Sequence, residues 1–383
     1  MKFFKLLFLT VILTAANLVN AQDIKSEIAN QINSLSVNTD KATYEKLLKE
    51  YVQAGGDIKA IQDGILKPVN SGNSTIVPII ETIVLPSQNN NESLLDYYYV
   101  TGVSLGAFCN NPTKAIEYLN KAIEIADKKG LEKKIFSSAG GQLNHAWGNV
   151  AVNYERLGDF KNSAVSYLKA AKEIKKYYPI NTKEFNDFLG ISSYMMYKYL
   201  SESYKGKDAY GEYFSYLMEY AEVGNLNGLS ALWNYFIDNH DTSGLNMIDF
   251  DIIPHEKDNN SIGEYYWAAA EQFQHDEFYE DAVYYHIKLI MHSQINNLKQ
   301  YLYDDYNGIK HSRFEKIGYC FEQDGQDENY VQSILNALSE VSKDFGQESK
   351  EFEYYSNFLE YLMDDSKYAP ILEKILKEIG YLE

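Results

Sequence analysis

The stretch that decides the fold is AWGNVAVNYERLGDFKNSAVSYLKAAKEIKKYYP, residues 146–179. In its first half, apolar residues recur at spacings of three, one and three, which is one face of an α-helix: Trp147, Val150, Ala151 and Tyr154. Gly158 breaks this helix. The second helix carries its own row at Ser163, Tyr167 and Ala170. Because small side chains let two helix backbones approach while aromatic ones fill the space beside them, the stretch predicts an antiparallel helical hairpin.

The same spacing recurs elsewhere in the chain. One copy has Tyr330 where a small residue is expected, which predicts a looser turn: Phe314, Ile317, Gly318, Phe321, Gly325, Tyr330, Ile334 and Ala337. A second copy has Glu277 in place of the turn glycine: Tyr266, Ala269, Ala270, Phe273, Tyr279, Ala282, His286 and Leu289. A weaker copy comes first in the chain: Tyr99, Gly102, Val103, Gly106, Ala115, Leu119 and Ala122. Since no series of alternating strand patterns competes with these copies, we predict an all-α fold, an α-solenoid of stacked antiparallel hairpins.

These hairpins resemble the tetratricopeptide repeat, with a large–small face on the first helix, a glycine turn and small residues on the second helix. The usual Leu-Gly pair of that family is Val150-Ala151 here, and its small second-helix residue is Ser163. Residues 220–232, YAEVGNLNGLSAL, resemble a turn of the related Sel1-like repeat. The two resemblances cover about half of the chain after the leader. They imply an extended surface on the concave side of stacked first helices.

The first residues predict an export signal at residues 1–21. Lys2 and Lys5 precede an apolar run from Leu6 to Val19, and small residues follow at the cleavage point before Gln22. The alternative is a membrane anchor, but the run is shorter than the roughly 20 apolar residues that cross a bilayer. The ending Asn-Ala-Gln resembles signal peptides of the Bacteroidetes bacteria. Because the chain is predicted to end in helices, with no appended β-domain that would sort it to the outer surface, we predict export to the periplasm rather than to the medium.

The remaining chain divides into five segments at glycine, proline and polar breaks. Residues 22–93 are predicted to form several short helices, with Pro68 at a boundary and a polar linker at residues 86–93. Whether they form a separate domain stays open. Residues 94–180 and 256–346 predict tetratricopeptide-like hairpins, with Sel1-like hairpins at 181–255 between them. Residues 347–383 predict two helices that cap the solenoid with a polar face.

The charge of the chain argues against two classes of partner. The formal net charge is −19, and removing residues 1–21 takes away two lysines and no acid, which makes it −21. Such a surface repels phosphate backbones and anionic lipid heads. We therefore expect no nucleic-acid partner and no direct membrane binding once the signal is removed.

No motif predicts catalysis or a cofactor. Cys109 and Cys320 could pair in an oxidising compartment, but two separate buried thiols fit their apolar surroundings better. His275, His286 and His292 lack the spacing of three or four residues that makes a helical metal site. Phosphate-binding loops, nucleophile elbows and zinc-protease motifs do not occur. We predict a protein that is not an enzyme and that holds no metal or other cofactor.

Tyrosine is the compositional anomaly, with 34 residues. Most of these tyrosines are expected in the repeat core, and the rest can line a binding groove, because tyrosine offers a large amphipathic surface at low entropic cost. Three first-helix stripes are predicted to face that groove: His145, Gly148, Val152 and Glu155; Glu264, Trp267, Glu271 and Gln274; Ser312, Glu315, Tyr319 and Glu322. Such an aromatic and acidic groove suits a neutral or basic ligand.

From these stripes we predict six partner-binding residues: Trp267, Tyr319, Glu271, Glu322, Glu264 and Glu155. The function that the pattern favours is a binding or scaffold protein that captures a protein or peptide on its concave face. A glycan- or nutrient-binding protein is the alternative that the tyrosines suggest. An enzyme with a site made of scattered acids is the third hypothesis, since a fold alone does not decide function. The oligomeric state stays open.

Overall fold

The computed structural model describes residues 22–132, 146–177, 183–204, 209–223 and 225–382. The predicted export signal therefore lies outside the described residues. The chain forms two compact units that meet in sequence between Tyr199 and Leu200. Among the described helices, none is both long enough and apolar enough to cross a membrane.

Polar caps set the starts of three helices of the first unit. The side chains of Asp40, Asn90 and Asn111 accept hydrogen bonds from backbone N–H groups in the first turns of the helices that follow them. Such caps satisfy donors that have no partner within the helix. The helices are α1 (22–34), α2 (Lys41–Gln53), α3 (Gln62–Asn70), α4 (Val77–Ile83), α5 (Asn91–Ala107), α6 (Pro112–Lys129), α7 (Ala146–Arg156), α8 (Phe160–Tyr177) and α9 (Lys183–Ser203), which runs past the end of the unit.

Two details of the predicted N-terminal segment are wrong. Pro68 does not mark a boundary, because it lies inside α3. The predicted polar linker at 86–93 is shorter than expected, because α5 already begins at Asn91. The short helices pack with the first hairpin in one hydrophobic cluster, in which Ile32 and Ile80 share a core with Tyr97 of α5.

Helices α5 to α8 pack in succession as antiparallel neighbours. A methyl group on Gly102 would come within 2.9 Å of the Leu119 side chain, and one on Gly106 within 2.5 Å of Asn153. These two glycines therefore permit a close approach of α5 to α6 and to α7. In the hairpin of α7 and α8, Gly158 adopts a φ of 74° at the turn, as the glycine break predicted.

The second unit repeats this packing. Its helices are α10 (Tyr210–Ala221), α11 (Ser230–Asp238), α12 (Thr242–Met247), α13 (Asn259–His275), α14 (Tyr279–Asn296), α15 (Arg313–Gln323), α16 (Asp327–Phe345), α17 (Lys350–Asp364) and α18 (Ala369–Glu378). A π-helical turn, Ile248–Ile252, follows α12. A two-stranded hairpin, β1 (Tyr303–Tyr306) and β2 (Ile309–Ser312), separates α14 from α15.

The predicted hairpins occur in the predicted frame. Helix α13 packs on α14, α14 on α15, and α15 on α16, which in turn contacts α17 and α18. Glu277 has a φ of 66° and Gly325 has a φ of 72°, so the glutamate does occupy a turn position that normally belongs to glycine. Within each unit, the successive pairing of antiparallel helices is that of a helical-repeat solenoid. The predicted all-α fold is confirmed.

The last helix pair departs from the predicted polar cap. Helices α17 and α18 form as expected, with Ser349 capping the first of them through a 3.1 Å hydrogen bond from the Phe352 N–H. However, Tyr361, Met363 and Ile379 are all exposed. The outer side of the pair is therefore partly apolar.

Candidate binding cleft

The β-hairpin of the second unit is the feature that the predicted helical pattern does not contain. Asn307 and Gly308 have φ values of 56° and 78°, so both are left-handed, as a two-residue turn of type I′ requires. Tyr306 pairs with Ile309 next to the turn, and Tyr303 pairs with Ser312 at the open end. The Asn307-Gly308 pair was the local signal that could have revealed the hairpin.

The outer edge of β2 is closed by side chains from α17. The Lys310 N–H donates to Glu351 Oε1 at 3.3 Å, and the Ser312 N–H donates to the hydroxyl of Tyr355 at 2.8 Å. A strand edge without partners invites pairing with other chains, and these two bonds block that pairing along β2. The hairpin is thereby fixed against the helices behind it.

Arg313 joins the hairpin to α13. Its side chain is only 2% exposed, and its guanidinium donates to the carboxylates of Glu271 and Asp304 and to the carbonyl oxygen of Tyr301, the last at 3.2 Å. Lys316 Nζ lies 3.0 Å from Glu271 and 3.8 Å from Asp304. A buried arginine needs this full set of acceptors, because an unpaired guanidinium would be costly to bury.

An open cleft with a volume of about 490 Å³ lies beside this anchor. Two tyrosines stand out in its lining: Tyr306 is 69% exposed and Tyr319 is 44% exposed. Aromatic rings held in place at an open cleft can stack on planar or apolar groups of a ligand. The full lining is Gln274, Asp304, Asp305, Tyr306, His311, Ser312, Glu315, Lys316 and Tyr319.

The carboxylates of the cleft are already engaged by the protein. Asp305 lies 2.8 Å from Lys310 Nζ, and this hydrogen bond lowers the pKa of the Asp305 carboxyl. Glu315 lies 3.0 Å from His311 Nδ1 and accepts hydrogen bonds from Tyr354 at 3.0 Å and Tyr355 at 2.5 Å. Because each acid has a partner, the cleft is less acidic toward a ligand than its composition indicates.

The two tyrosines behind Glu315 stay protonated. Burial raises the pKa of both Tyr354 and Tyr355, and the nearby Glu315 carboxylate raises it further. They therefore remain hydrogen-bond donors at any physiological pH and hold Glu315 in one position.

A buried histidine supports the opposite wall. Burial lowers the pKa of His286 well below its usual value, and the positive charges of Arg313 and Lys316 add to this effect. A neutral His286 has one N–H to donate, and its Nε2 lies 3.1 Å from Oε1 of Gln274 in the cleft lining. The sequence pattern had placed His286 on the packing face of α14, where it indeed lies fully buried.

The predicted partner-binding residues fall in different surroundings. Tyr319 lines the cleft, whereas Trp267 is exposed on α13 and is not part of the lining. Glu264 is also exposed on α13. The carboxylates of Glu271 and Glu322 have partners within the protein: Arg313 and Lys316 contact the first, and the Tyr368 hydroxyl donates to the second at 2.7 Å. These five positions of the second unit are thus not equivalent as ligand contacts.

The other predicted stripe residues are partly or fully buried where the structure describes them. Glu155 is half-buried on α7 of the first unit. His145 lies outside the described residues. Gly148 is buried, so the prediction that it faces a groove is wrong. Ser312 is also buried, but it belongs to the cleft lining and caps the first turn of α15.

Among the described residues, no group of three or more His, Cys, Asp or Glu side chains is arranged to hold a metal ion. Cys109 and Cys320 are both free thiols, the first half-buried and the second buried. Burial raises the pKa of the Cys320 thiol to about 12.

The sequence matches no protein-family model. No curated protein is similar enough to it to count as a relative. The resemblance to the tetratricopeptide and Sel1-like repeats therefore stays a prediction about ancestry, while the helical-hairpin fold rests on the structure.

Proposed function

We propose that this protein is an exported helical-repeat scaffold that binds a segment of another protein, with the cleft between the β-hairpin and α15 as its contact site. The proposal rests on the pair of exposed rings, Tyr306 and Tyr319, in an open cleft whose hairpin is held against the helices behind it. Exposed aromatic rings on a rigid support are typical centres of protein recognition. Helical repeats seldom supply a catalytic pocket by themselves, so binding is favoured over catalysis.

The electrostatics favour a neutral partner segment. Asp304, Asp305 and Glu315 are each paired with basic or hydroxyl groups of the protein. A basic ligand would have to compete with those internal partners, whereas a neutral segment could stack on the two rings without displacing them. The partner is therefore expected to present aromatic or apolar side chains beside backbone amides. The overall negative charge of the protein argues against nucleic acid and anionic lipid as partners.

The test uses the purified protein as bait in an envelope extract of its own host, with retained proteins identified by mass spectrometry. The double variant Tyr306→Ala and Tyr319→Ala should lose at least about 90% of a specific partner, because two central aromatic contacts typically contribute several kcal/mol. A matched control replaces Tyr194 and Tyr381, which are also exposed but lie outside the cleft lining. Equal capture by both double variants would contradict the proposed site.

A third variant separates the cleft from the face predicted by the repeat frame. Trp267→Ala removes an exposed ring of α13 that is not part of the lining. If Trp267→Ala abolishes capture and the cleft variant does not, the first-helix face is the binding surface. If only the cleft variant fails, the hairpin side is the binding surface.

A glycan ligand is the second candidate, and the same two tyrosines favour it. Sugar rings stack on aromatic faces, and the satisfied carboxylates leave a neutral polar cleft of the kind that a glycan can enter. A glycan array with the same variants distinguishes the two. Binding that is lost with Tyr306→Ala and Tyr319→Ala, together with an empty protein capture, would replace the peptide proposal with the glycan one.

A further inference from the structure

Helix α14 has a second apolar face that the unit does not use. Its inner face is buried against neighbouring helices through residues such as Leu289 and Ile290. On the outer side, Ile287 is 44% exposed, Met291 57% and Ile295 80%. Isolated apolar residues on a surface are common, but a row of them along one helix marks an interaction surface.

The exposed apolar residues of this row lie along one face of α14. Tyr284, Ile287, Met291 and Ile295 advance by three, four and four residues. Residues three and four positions apart lie on the same side of a helix. The row therefore runs from the second turn of α14 to its last turn.

A further aromatic ring widens this outer face. Lys288 Nζ is held 2.6 Å from the buried carboxylate of Asp249 and lies 4.6 Å from the centre of the Tyr284 ring. The same ammonium lies 5.9 Å from the ring of Phe250, which is 70% exposed. Phe250 therefore lies beside the row, and the apolar surface extends onto the π-helical turn.

We propose that this surface joins two copies of the chain, with their α14 helices antiparallel across a twofold axis near residue 289. An axis there places Ile287 of one copy opposite Met291 of the other, and Met291 opposite Ile287. The row is thus complementary to itself, as a twofold interface requires. The surface does not include the cleft lining, so the proposal is independent of the binding function.

The charges at the two ends of α14 select the antiparallel arrangement. Glu277, Glu280 and Asp281 lie around the beginning of the helix, and Lys299 follows its end. Lys299 is largely exposed, although its Nζ lies 3.5 Å from Asp344. Antiparallel helices bring the acidic end of each copy toward the lysine of the other. A parallel pair would set acid against acid, which is unfavourable.

The first experiment measures the mass of the purified protein by sedimentation equilibrium up to about 200 µM, above the dissociation constants expected for a modest interface. We expect twice the monomer mass. Ile287→Glu should raise the dissociation constant at least about 100-fold, because a twofold axis places the buried carboxylate in the interface twice. Ile379→Glu, at an exposed apolar position directly after α18, is the matched control and should leave the dimer intact.

The second experiment tests the geometry. With Cys109→Ser as background, since Cys320 is fully buried, Ile287→Cys and Met291→Cys are oxidised separately and as a mixture. Antiparallel helices predict that the mixture forms disulfide-linked dimers faster than either variant alone. A wild-type monomer at about 200 µM, a dimer that survives Ile287→Glu, or faster self-linking of each variant would overturn the proposal. If the protein is monomeric, a different protein becomes the expected partner of this surface.

Discussion

Replacing Arg313 with methionine should destabilise the second unit by about 3 kcal/mol. Methionine keeps the apolar stem of the side chain but removes the guanidinium that links Glu271, Asp304 and the Tyr301 carbonyl. A hydrogen bond to a charged group contributes about 1.5–3 kcal/mol, and breaking a fully buried pair costs about 3–5 kcal/mol.

The structure places the expected value at the lower end of that range. The side chains of Glu271 and Asp304 are 30% and 36% exposed, so water replaces part of what the arginine supplied. Lys316 also remains within 4 Å of both carboxylates. For a unit of this size, a loss of about 3 kcal/mol corresponds to a fall in Tm of about 6–12 °C.

The assay is urea unfolding followed by far-UV circular dichroism at pH 7, with amide hydrogen exchange to locate the effect. Exchange should accelerate first in β1 and β2, since the arginine is what ties the hairpin to α13. A cycle that combines Arg313→Met with Glu271→Gln should show a coupling of at least about 1 kcal/mol. A total loss under about 1 kcal/mol, or strict additivity, would refute the view of Arg313 as the anchor of the hairpin.

Three further predictions concern stability. Glu277→Gly should raise the free energy of unfolding by about 0.5–1 kcal/mol in urea, because glycine adopts the left-handed turn conformation without strain. Gly325→Glu should lower the free energy of unfolding, and a change of the same sign in both variants would contradict this explanation. Gly106→Ala should lower the free energy of unfolding by about 2 kcal/mol, because the added methyl group would meet the Asn153 side chain. Gly190→Ala, at a helical position with open space around it, should leave stability unchanged or raise it. Equal effects of the two substitutions would contradict the close packing at Gly106. The pKa of Asp276 is lowered to about 2, chiefly by hydrogen bonds from neighbouring side chains. Its folded pKa is therefore below its unfolded value of 3.8, so its stabilisation is present above pH 4 and is lost as the pH falls toward 2. Asp276→Asn should reduce stability at pH 7 but not at pH 2, and a difference that persists at pH 2 would exclude this linkage.

The helical hairpins could be predicted because their signal is local. Residues three and four positions apart share a helix face, so the rows around Trp147, Tyr266 and Phe314 can be recognised without any knowledge of their neighbours. The same frame located the turn residues, including Glu277 at a position where glycine is usual. The signal of the Asn307-Gly308 turn is equally local. The hairpin was nevertheless missed, because its two strands have only four residues each and show no alternating pattern that stands out from the neighbouring helices.

The binding surfaces could not be predicted in the same way. The repeat frame placed Glu271 on an accessible face, and its side chain is indeed partly exposed. What decides its role is Arg313, which lies 42 residues later in the chain and reaches it only after folding. Phase on a helix predicts which side a residue occupies, but not which distant side chain arrives there.

Local periodicity, turn chemistry and composition were enough to establish an all-α chain of packed hairpins with an acidic surface, since each depends on residues close in sequence. Tertiary structure alone decided that the carboxylates of the cleft are paired, that Tyr306 joins Tyr319 at its rim and that α14 keeps an apolar face outward. Pairing and exposure depend on which segments meet in space. That meeting is a property of the whole packed unit, and no short window of sequence contains it.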